Sequence, residues 1–253
     1  MTIGIILVAR LSSSRLPQKN ILPIEGKPMI QHLADRVANV RFPSKVIIAT
    51  SDLPSDDPLE DLAKNIGINC YRGSLNNVME RITGAAEKFQ CSTIVEILGD
   101  NPLVHSELID DVIDLYLKNN YDYAATVTSE YSPYDNNLTL FSIGLRVQVY
   151  SIEAARNYIN YPEYIESSKH PCAYIFENPQ IFNIGFIEAT GKWSFMNKPE
   201  LNFAVNYPKN FELIKKFFKV NYPINNQFPL SSIYEQLDKD EELYRLFGPE
   251  DLE

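Results

Sequence analysis

The feature that most constrains this chain is a set of short apolar runs, rich in β-branched residues and bounded by polar turns. Residues 3–8, 45–50 and 93–98 are almost unbroken apolar stretches of six residues each. Runs of that length suit strands buried on both faces, as in a parallel sheet. Between them apolar residues recur at helical spacing: Ile30, Leu33, Val37 and Val40, then Val78, Ile82, Ala85 and Phe89. Proline suits a first helical position, so Pro28 marks the start of the first helix. Strands alternating with helices predict βαβ units and an α/β protein built on a mainly parallel sheet.

The same reading predicts a helix over 59–65 stopped near Gly67, a short strand over 68–71, and a helix over 77–89 with Asn76 as its N-cap. A helix over 107–118 and a strand over 123–128 follow, then a long polar loop over 129–142. Apolar and polar residues alternate over 145–149, which predicts a half-exposed strand. Further on come a helix over 152–160, strands over 181–187 and 201–205, a helix over 209–219 and a last helix over 231–246. No repeat, low-complexity tract or linker interrupts the pattern, so residues 1–253 are expected to form a single domain. Residues 1–105 read as its nucleotide-binding half.

Charge narrows the function classes. The net charge is -10, which argues against nucleic acid as a partner, since backbone binding runs on clustered Lys and Arg. No run approaches a membrane span, and the N-terminal apolar run lacks the charged flank of a signal peptide. Cys70, Cys91 and Cys172 show no CxxC spacing, so reduced thiols and a cytoplasmic location are expected.

Chemistry concentrates after the first strand. Arg10, Arg15 and Lys19 bracket Ser12, Ser13 and Ser14 on a loop leaving a strand end. Small-residue loops can line an anion with backbone N–H groups, and open α/β sheets bind ligands at strand carboxyl ends. Neither GxxxxGK(S/T) nor GxGxxG occurs, so the standard nucleotide fingerprints do not apply. A second candidate, Asp100, follows the strand over 93–98 in Gly99-Asp100-Asn101-Pro102-Leu103. An aspartate there is either a turn cap or a hard oxygen ligand for a metal.

Ala9-Arg10, Ser14-Arg15-Leu16-Pro17, Lys19 and Gly26-Lys27-Pro28-Met29-Ile30 resemble the opening signature of the cytidylyltransferases that make CMP-activated acidic sugars. The resemblance is closest to the spore-coat polysaccharide biosynthesis protein F type, next to the 3-deoxy-manno-octulosonate enzymes, and runs to about residue 220. It implies a Rossmann-like three-layer α/β/α nucleotidyltransferase fold with a mainly parallel mixed sheet. A small dimerisation arm, expected within 140–185, and a homodimer go with it. It implies transfer of CMP from CTP to an acidic or phosphorylated sugar, with pyrophosphate released and Mg²⁺ as cofactor. Arg10, Arg15 and Lys19 would take the triphosphate, and Asp100 the metal. Ala9, Arg10, Ser12, Ser13, Ser14, Ser51, Arg72, Gly73 and Ser74 are the implied nucleotide contacts. Asp52 is a further candidate beside Ser51. Arg146, Gln148, Lys169 and His170, in 106–253, are the implied acceptor contacts.

The chain also departs from the pattern. Ser12 stands where glycine is frequent, Asn76 and Asn77 where acids are usual, and Arg146 and Gln148 where Asp and Glu are usual. The second metal aspartate is replaced by Asn206, whose amide oxygen can coordinate Mg²⁺ but lacks charge. Two rival readings follow: a non-catalytic nucleotide or sugar binder, and a nucleotide-sugar-dependent glycosyltransferase. The latter would call for a DxD-type motif where this chain has Gly-Asp-Asn-Pro.

Overall fold

The structure is a computed structural model describing residues 2–130, 137–160 and 172–248, less the side chains of residues 160 and 174. The elements in chain order are β1 Ile3–Val8, a ribbon of β2 Pro23–Ile24 and β3 Lys27–Pro28, α1 Met29–Val37, β4 Ser44–Ser51, α2 Asp57–Ile66 and β5 Asn69–Gly73. Next come α3 Val78–Lys88, β6 Thr93–Leu98, α4 Ser106–Asn119, β7 Tyr123–Thr126, β8 Gln148–Ser151 and α5 Ile152–Asn160. α6 Ala173–Glu177, β9 Ile184–Ile187, α7 Pro208–Asn221, α8 Leu230–Lys239 and α9 Glu241–Phe247 complete the chain.

Seven strands form one sheet in the order β5-β4-β1-β6-β8-β7-β9. All neighbours are parallel except β8, which runs antiparallel to both β6 and β7. Alternate residues of β1 face opposite sides. Ile3, Ile5 and Leu7 pack with α1, α2, α4 and α7, whereas Ile6 packs with α3, α5 and α6. The result is three layers, α/β/α, with β1 and β6 buried on both faces as their apolar runs require.

The chain leaves β1 for β4 and β5 on one side, then returns to place β6 on the other. The carboxyl ends of β1 and β6 therefore flank a topological switch point, where open sheets form their binding crevice. Gly99 shows how closely the two ends approach. A Cβ there would lie 2.9 Å from Ala9 Cβ and 2.9 Å from Asn20 Oδ1. Among the described residues no helix is long and apolar enough to cross a membrane.

Several expectations are corrected. Residues 145–149 are buried throughout, because β8 lies inside the sheet and Arg146 and Gln148 find polar partners there. That insertion also removes β8 from the range expected to form an arm; residues 161–171 of that range lie outside the described residues. Residues 201–205 are no strand. They make one isolated bridge, Ile143 to Asn202, beside Gly144, whose φ of +87° turns the chain closely past Ala204. The last helix is broken at Asp240, whose side chain accepts from Leu243 N at 2.9 Å and starts α9. The N-cap of α3 is Asn77, accepting from Glu80 N at 3.0 Å, not Asn76. Cys70, Cys91 and Cys172 are free thiols, the last two buried.

Candidate active site

The stretch after β1 is a loop shaped by few contacts. Gln18, in the left-handed region at φ 59°, donates its N–H to Leu11 O at 3.0 Å and closes the serine loop. Buried Leu11 anchors it, and Leu11 N donates to Asp56 Oδ1 at 2.8 Å. The other oxygen of Asp56 accepts from Thr50 Oγ1, Ser51 N and Ser51 Oγ. Burial pushes the Asp56 carboxyl up, but the donors from Ser51, Leu11 and Thr50 outweigh it and hold the group below its ordinary value. Asp56 thus ties the serine loop to the end of β4. Ser12 keeps a negative φ, so it sits in the loop without the strain that a position requiring glycine would impose.

Above the switch point lies a cleft of about 510 Å³. Ala9, Arg10, Ser12, Ser13, Ser14, Arg15 and Lys19 line one wall; Leu98, Asp100 and Asn206 line another. A third wall comes from the turn before α3 and its first turns, with Leu75, Asn76, Val78 and Arg81. Lys19 is almost buried. Its ammonium donates to Asp100 Oδ2 at 2.6 Å, to Val205 O at 2.8 Å and to Asn206 Oδ1 at 3.3 Å. Arg15 donates to the same Asn206 oxygen at 3.2 Å and to Tyr207 Oη at 3.3 Å, its guanidinium 5.0 Å from the Tyr207 ring centre. The irregular stretch 201–207 delivers these groups, fixed by Val205 N donating to Asp100 O at 2.8 Å.

Four cations, Arg10, Arg15, Lys19 and Arg81, face this cleft against one carboxylate, Asp100. In a protein of net charge -10 that is a local inversion of sign, suited to a polyanion. Asp100 is not a turn cap: its side chain meets Lys19 across the cleft. The three oxygens around the Lys19 ammonium, one carboxylate and two neutral, are of the hard type that suits Mg²⁺ carried in on phosphates.

Other implied contacts lie elsewhere. Ser51 is buried on Asp56. Asp52 is exposed and does not line the cleft. Arg72 points away, held by Asp57 at 2.5 Å, Glu60 at 2.9 Å and the carbonyls of Ser51 and Leu53. Gly73 lies beneath Tyr71 and Arg81, and Ser74 accepts from Asn77 N with its hydroxyl and from Arg81 with its carbonyl. None of Ser51, Arg72, Gly73 and Ser74 lines the cleft. Gln148 accepts from Tyr123 Oη at 2.7 Å, and Arg146 donates to the same hydroxyl at 3.1 Å over the Phe176 ring. Both are buried and do not line the cleft either. Lys169 and His170 lie outside the described residues.

Arg81 was not legible as a site residue. It stands in the sequence as one polar residue on an amphipathic helix, yet it is 2% exposed and donates to Ser74 O at 2.6 Å. Burial, with Arg10 nearby, pushes its guanidinium below the ordinary value. The only signal was its place directly before Ile82, an apolar-stripe position.

A family model described as cytidylyltransferase matches residues 3–240. The chain belongs to the cytidylyltransferase family. This cytidylyltransferase is 27% identical over 218 residues to the spore coat polysaccharide biosynthesis protein SpsF of Bacillus subtilis, covering 85% of each chain. It is 33% identical over 115 residues to the 3-deoxy-manno-octulosonate cytidylyltransferase of Geobacter sulfurreducens, covering 45% of this chain and 44% of that one. A solved cytidylyltransferase from Leptospira borgpetersenii serovar Hardjo-bovis superposes with a TM-score of 0.84 at 21% identity, over 100% of this chain and 99% of that one. At that identity the likeness is one of fold, and it is the three-layer fold described above.

Proposed function

We propose that this enzyme binds CTP along the serine loop and transfers CMP to an acidic or phosphorylated sugar, releasing pyrophosphate, in surface-polysaccharide synthesis. The observation that carries this reading is the single cleft in which Arg10, Arg15, Lys19 and Arg81 converge opposite Asp100 at a switch point. The sugar relatives named above support the acceptor class.

In the reaction a sugar oxygen attacks the α-phosphorus, and the bond to the bridging oxygen of pyrophosphate breaks with its electron pair leaving on pyrophosphate. Little covalent chemistry falls to the protein, so positioning and charge stabilisation carry the rate. Arg10 and Arg15 hold phosphate oxygens at the mouth. Lys19, a point charge on a flexible stem, follows the charge onto the leaving group. The wall of Leu75, Asn76, Val78 and Arg81, facing Ala9 and Arg10, is the side open to base and ribose. Magnesium, when bound, neutralises phosphate charge; Asp100 would hold it, with the Asn206 amide and Val205 carbonyl as neutral oxygens. Arg146 and Gln148 are buried on the equally buried Tyr123 hydroxyl, and this reading gives them no direct acceptor contact. Lys169 and His170 remain candidates for acceptor contact. The enzyme acts as a homodimer in the cytoplasm, where its free thiols stay reduced.

The test is pyrophosphate release from CTP, ATP, GTP and UTP with a panel of 2-keto acid sugars and sugar phosphates. Release specific to CTP and one acceptor class supports the assignment, and product charge tells a CMP-sugar from a CDP-sugar. CTP binding with no release across the panel would favour the non-catalytic binder that the neutral Asn206 suggests. No CTP binding would sink the reading.

A further inference from the structure

The seat around Lys19 is held by backbone hydrogen bonds of the protein itself. Asp100 and Val205 are tied to each other by the Val205 N to Asp100 O bond at 2.8 Å. Upstream, Phe203 N donates to Ile143 O at 2.9 Å and Ile143 N to Leu201 O at 2.9 Å, so the segment carrying Val205 and Asn206 is pinned from behind. Beside that segment, Gly99 N donates to Val8 O at 2.8 Å and holds the Asp100 turn against β1. Three oxygens thus converge on one point from elements that do not depend on Lys19: Asp100 Oδ2, Val205 O and Asn206 Oδ1. Only one of them carries a formal charge, and the Lys19 ammonium at that point balances it. The Asn206 oxygen also carries a second donor, from Arg15.

We propose that Lys19 is the resident cation of this seat and excludes a divalent ion until a triphosphate draws the ammonium out. One carboxylate and two neutral oxygens can balance one ammonium. They cannot hold an ammonium and a divalent ion side by side, because repulsion between such charges at close range exceeds what one carboxylate offsets. A triphosphate brings several anionic oxygens to the serine loop. Lys19 exchanges Asp100 for those oxygens, and the seat becomes free for the ion that accompanies the nucleotide. Metal and nucleotide then enter together, and free metal alone does not occupy the site. This second step rests on the triphosphate reading of the cleft; the exclusion itself does not.

The test uses Mn²⁺ as probe, followed by loss of its free-ion paramagnetic resonance signal on the purified full chain. Without nucleotide, Lys19→Met, which keeps the apolar stem, should bind one Mn²⁺ per chain about tenfold or more tighter than the unmodified protein. Adding Asp100→Asn to Lys19→Met should abolish that gain. Lys19→Arg keeps the charge and should still exclude Mn²⁺, and Lys19→Gln, neutral and polar, should show the same gain as Lys19→Met and keeps the test available if Lys19→Met folds poorly by circular dichroism. Equal Mn²⁺ affinity in the unmodified protein and Lys19→Met would overturn the proposal, as would a gain that survives Asp100→Asn or appears equally in Lys19→Arg. Adding CTP to the unmodified protein should recruit Mn²⁺. Exclusion without nucleotide but no recruitment with CTP would uphold the seat and refute the nucleotide reading instead.

Discussion

Replacing Asp56 by asparagine tests whether the serine loop is held from beneath. Asp56 Oδ1 accepts from Leu11 N, and the amide oxygen of asparagine can keep that bond. Oδ2 accepts from Thr50 Oγ1 at 3.0 Å, Ser51 N at 3.2 Å and the Ser51 hydroxyl. Asparagine puts an NH₂ there. The two hydroxyls can rotate to accept from it, but the Ser51 N–H cannot and is left buried against another donor. A stranded buried donor costs about 1–3 kcal/mol, and loss of charge assistance on the remaining bonds adds about 1 kcal/mol. The expected loss is therefore about 2–4 kcal/mol, read as a lowered urea midpoint at unchanged slope. The pH dependence fixes the sign. A carboxyl held below its unfolded value stabilises the fold above that value, near pH 4, and the contribution disappears as pH falls through the folded value. Asparagine does not titrate, so the stability gap between the two proteins should be full at pH 7 and shrink below about pH 4. Because Leu11 also closes the serine loop, the CTP KM should rise. A variant of unchanged stability and unchanged CTP KM, or a gap that does not narrow in acid, would refute the reasoning.

Three further outcomes are expected. Gly99→Ala places a methyl 2.9 Å from Ala9 Cβ and Asn20 Oδ1, so it should cost about 1–3 kcal/mol in denaturant melts and lower kcat/KM by shifting the Asp100 turn. Arg72→Ala removes ion pairs to Asp57 and Glu60 and the hydrogen bonds to the carbonyls of Ser51 and Leu53; stability should fall by about 1–2 kcal/mol and the CTP KM should not move, whereas a raised KM would support Arg72 as a nucleotide contact. Arg36 is buried and donates to the carbonyls of Leu103, Val104 and Phe228; Arg36→Ala should cost about 3–5 kcal/mol by thermal or urea unfolding, and Arg36→Lys should not restore the planar three-carbonyl fit.

Legibility in the sequence follows burial chemistry. β1, β6 and the second part of β4, residues 47–51, are buried on both faces, so they need nearly unbroken apolar runs, and those runs are visible without any structure. β8 is equally buried but carries Gln148, with Arg146 just before it, so its alternation looks like exposure; Tyr123 supplies the polar partner that makes burial tolerable. Residues 201–205 are as apolar as a strand, yet their hydrogen bonds go to Ile143, Asp100 and Phe247 on separate elements, and no ladder forms. At the site, Arg15, Lys19, Asp100 and Asn206 were named from a motif resemblance, and the structure brings them together. Arg72, Gly73 and Ser74 do not line the cleft; the turn they lead into meets it through Leu75, Asn76 and Arg81. Arg72 has acids of its own on α2, a partnership between residues 12 and 15 positions apart that no local pattern announces.

The neutral residue at 206 is where sequence and geometry inform each other most. Read alone, asparagine in place of a metal aspartate looks like damage. In the cleft its oxygen sits between two cations, Arg15 at 3.2 Å and Lys19 at 3.3 Å, and a second carboxylate there would pair with both. Two carboxylates would hold Lys19 and Arg15 more tightly in the ligand-free chain and lower the net positive charge that the cleft offers a triphosphate. Asparagine keeps the oxygen and leaves that charge available, so a metal bound there would have to bring its remaining counter-charge with the phosphates. Under the proposed function, Asn206 would shift the site from holding a metal by itself toward holding a metal–nucleotide pair, which is compatible with catalysis so long as Asp100 remains.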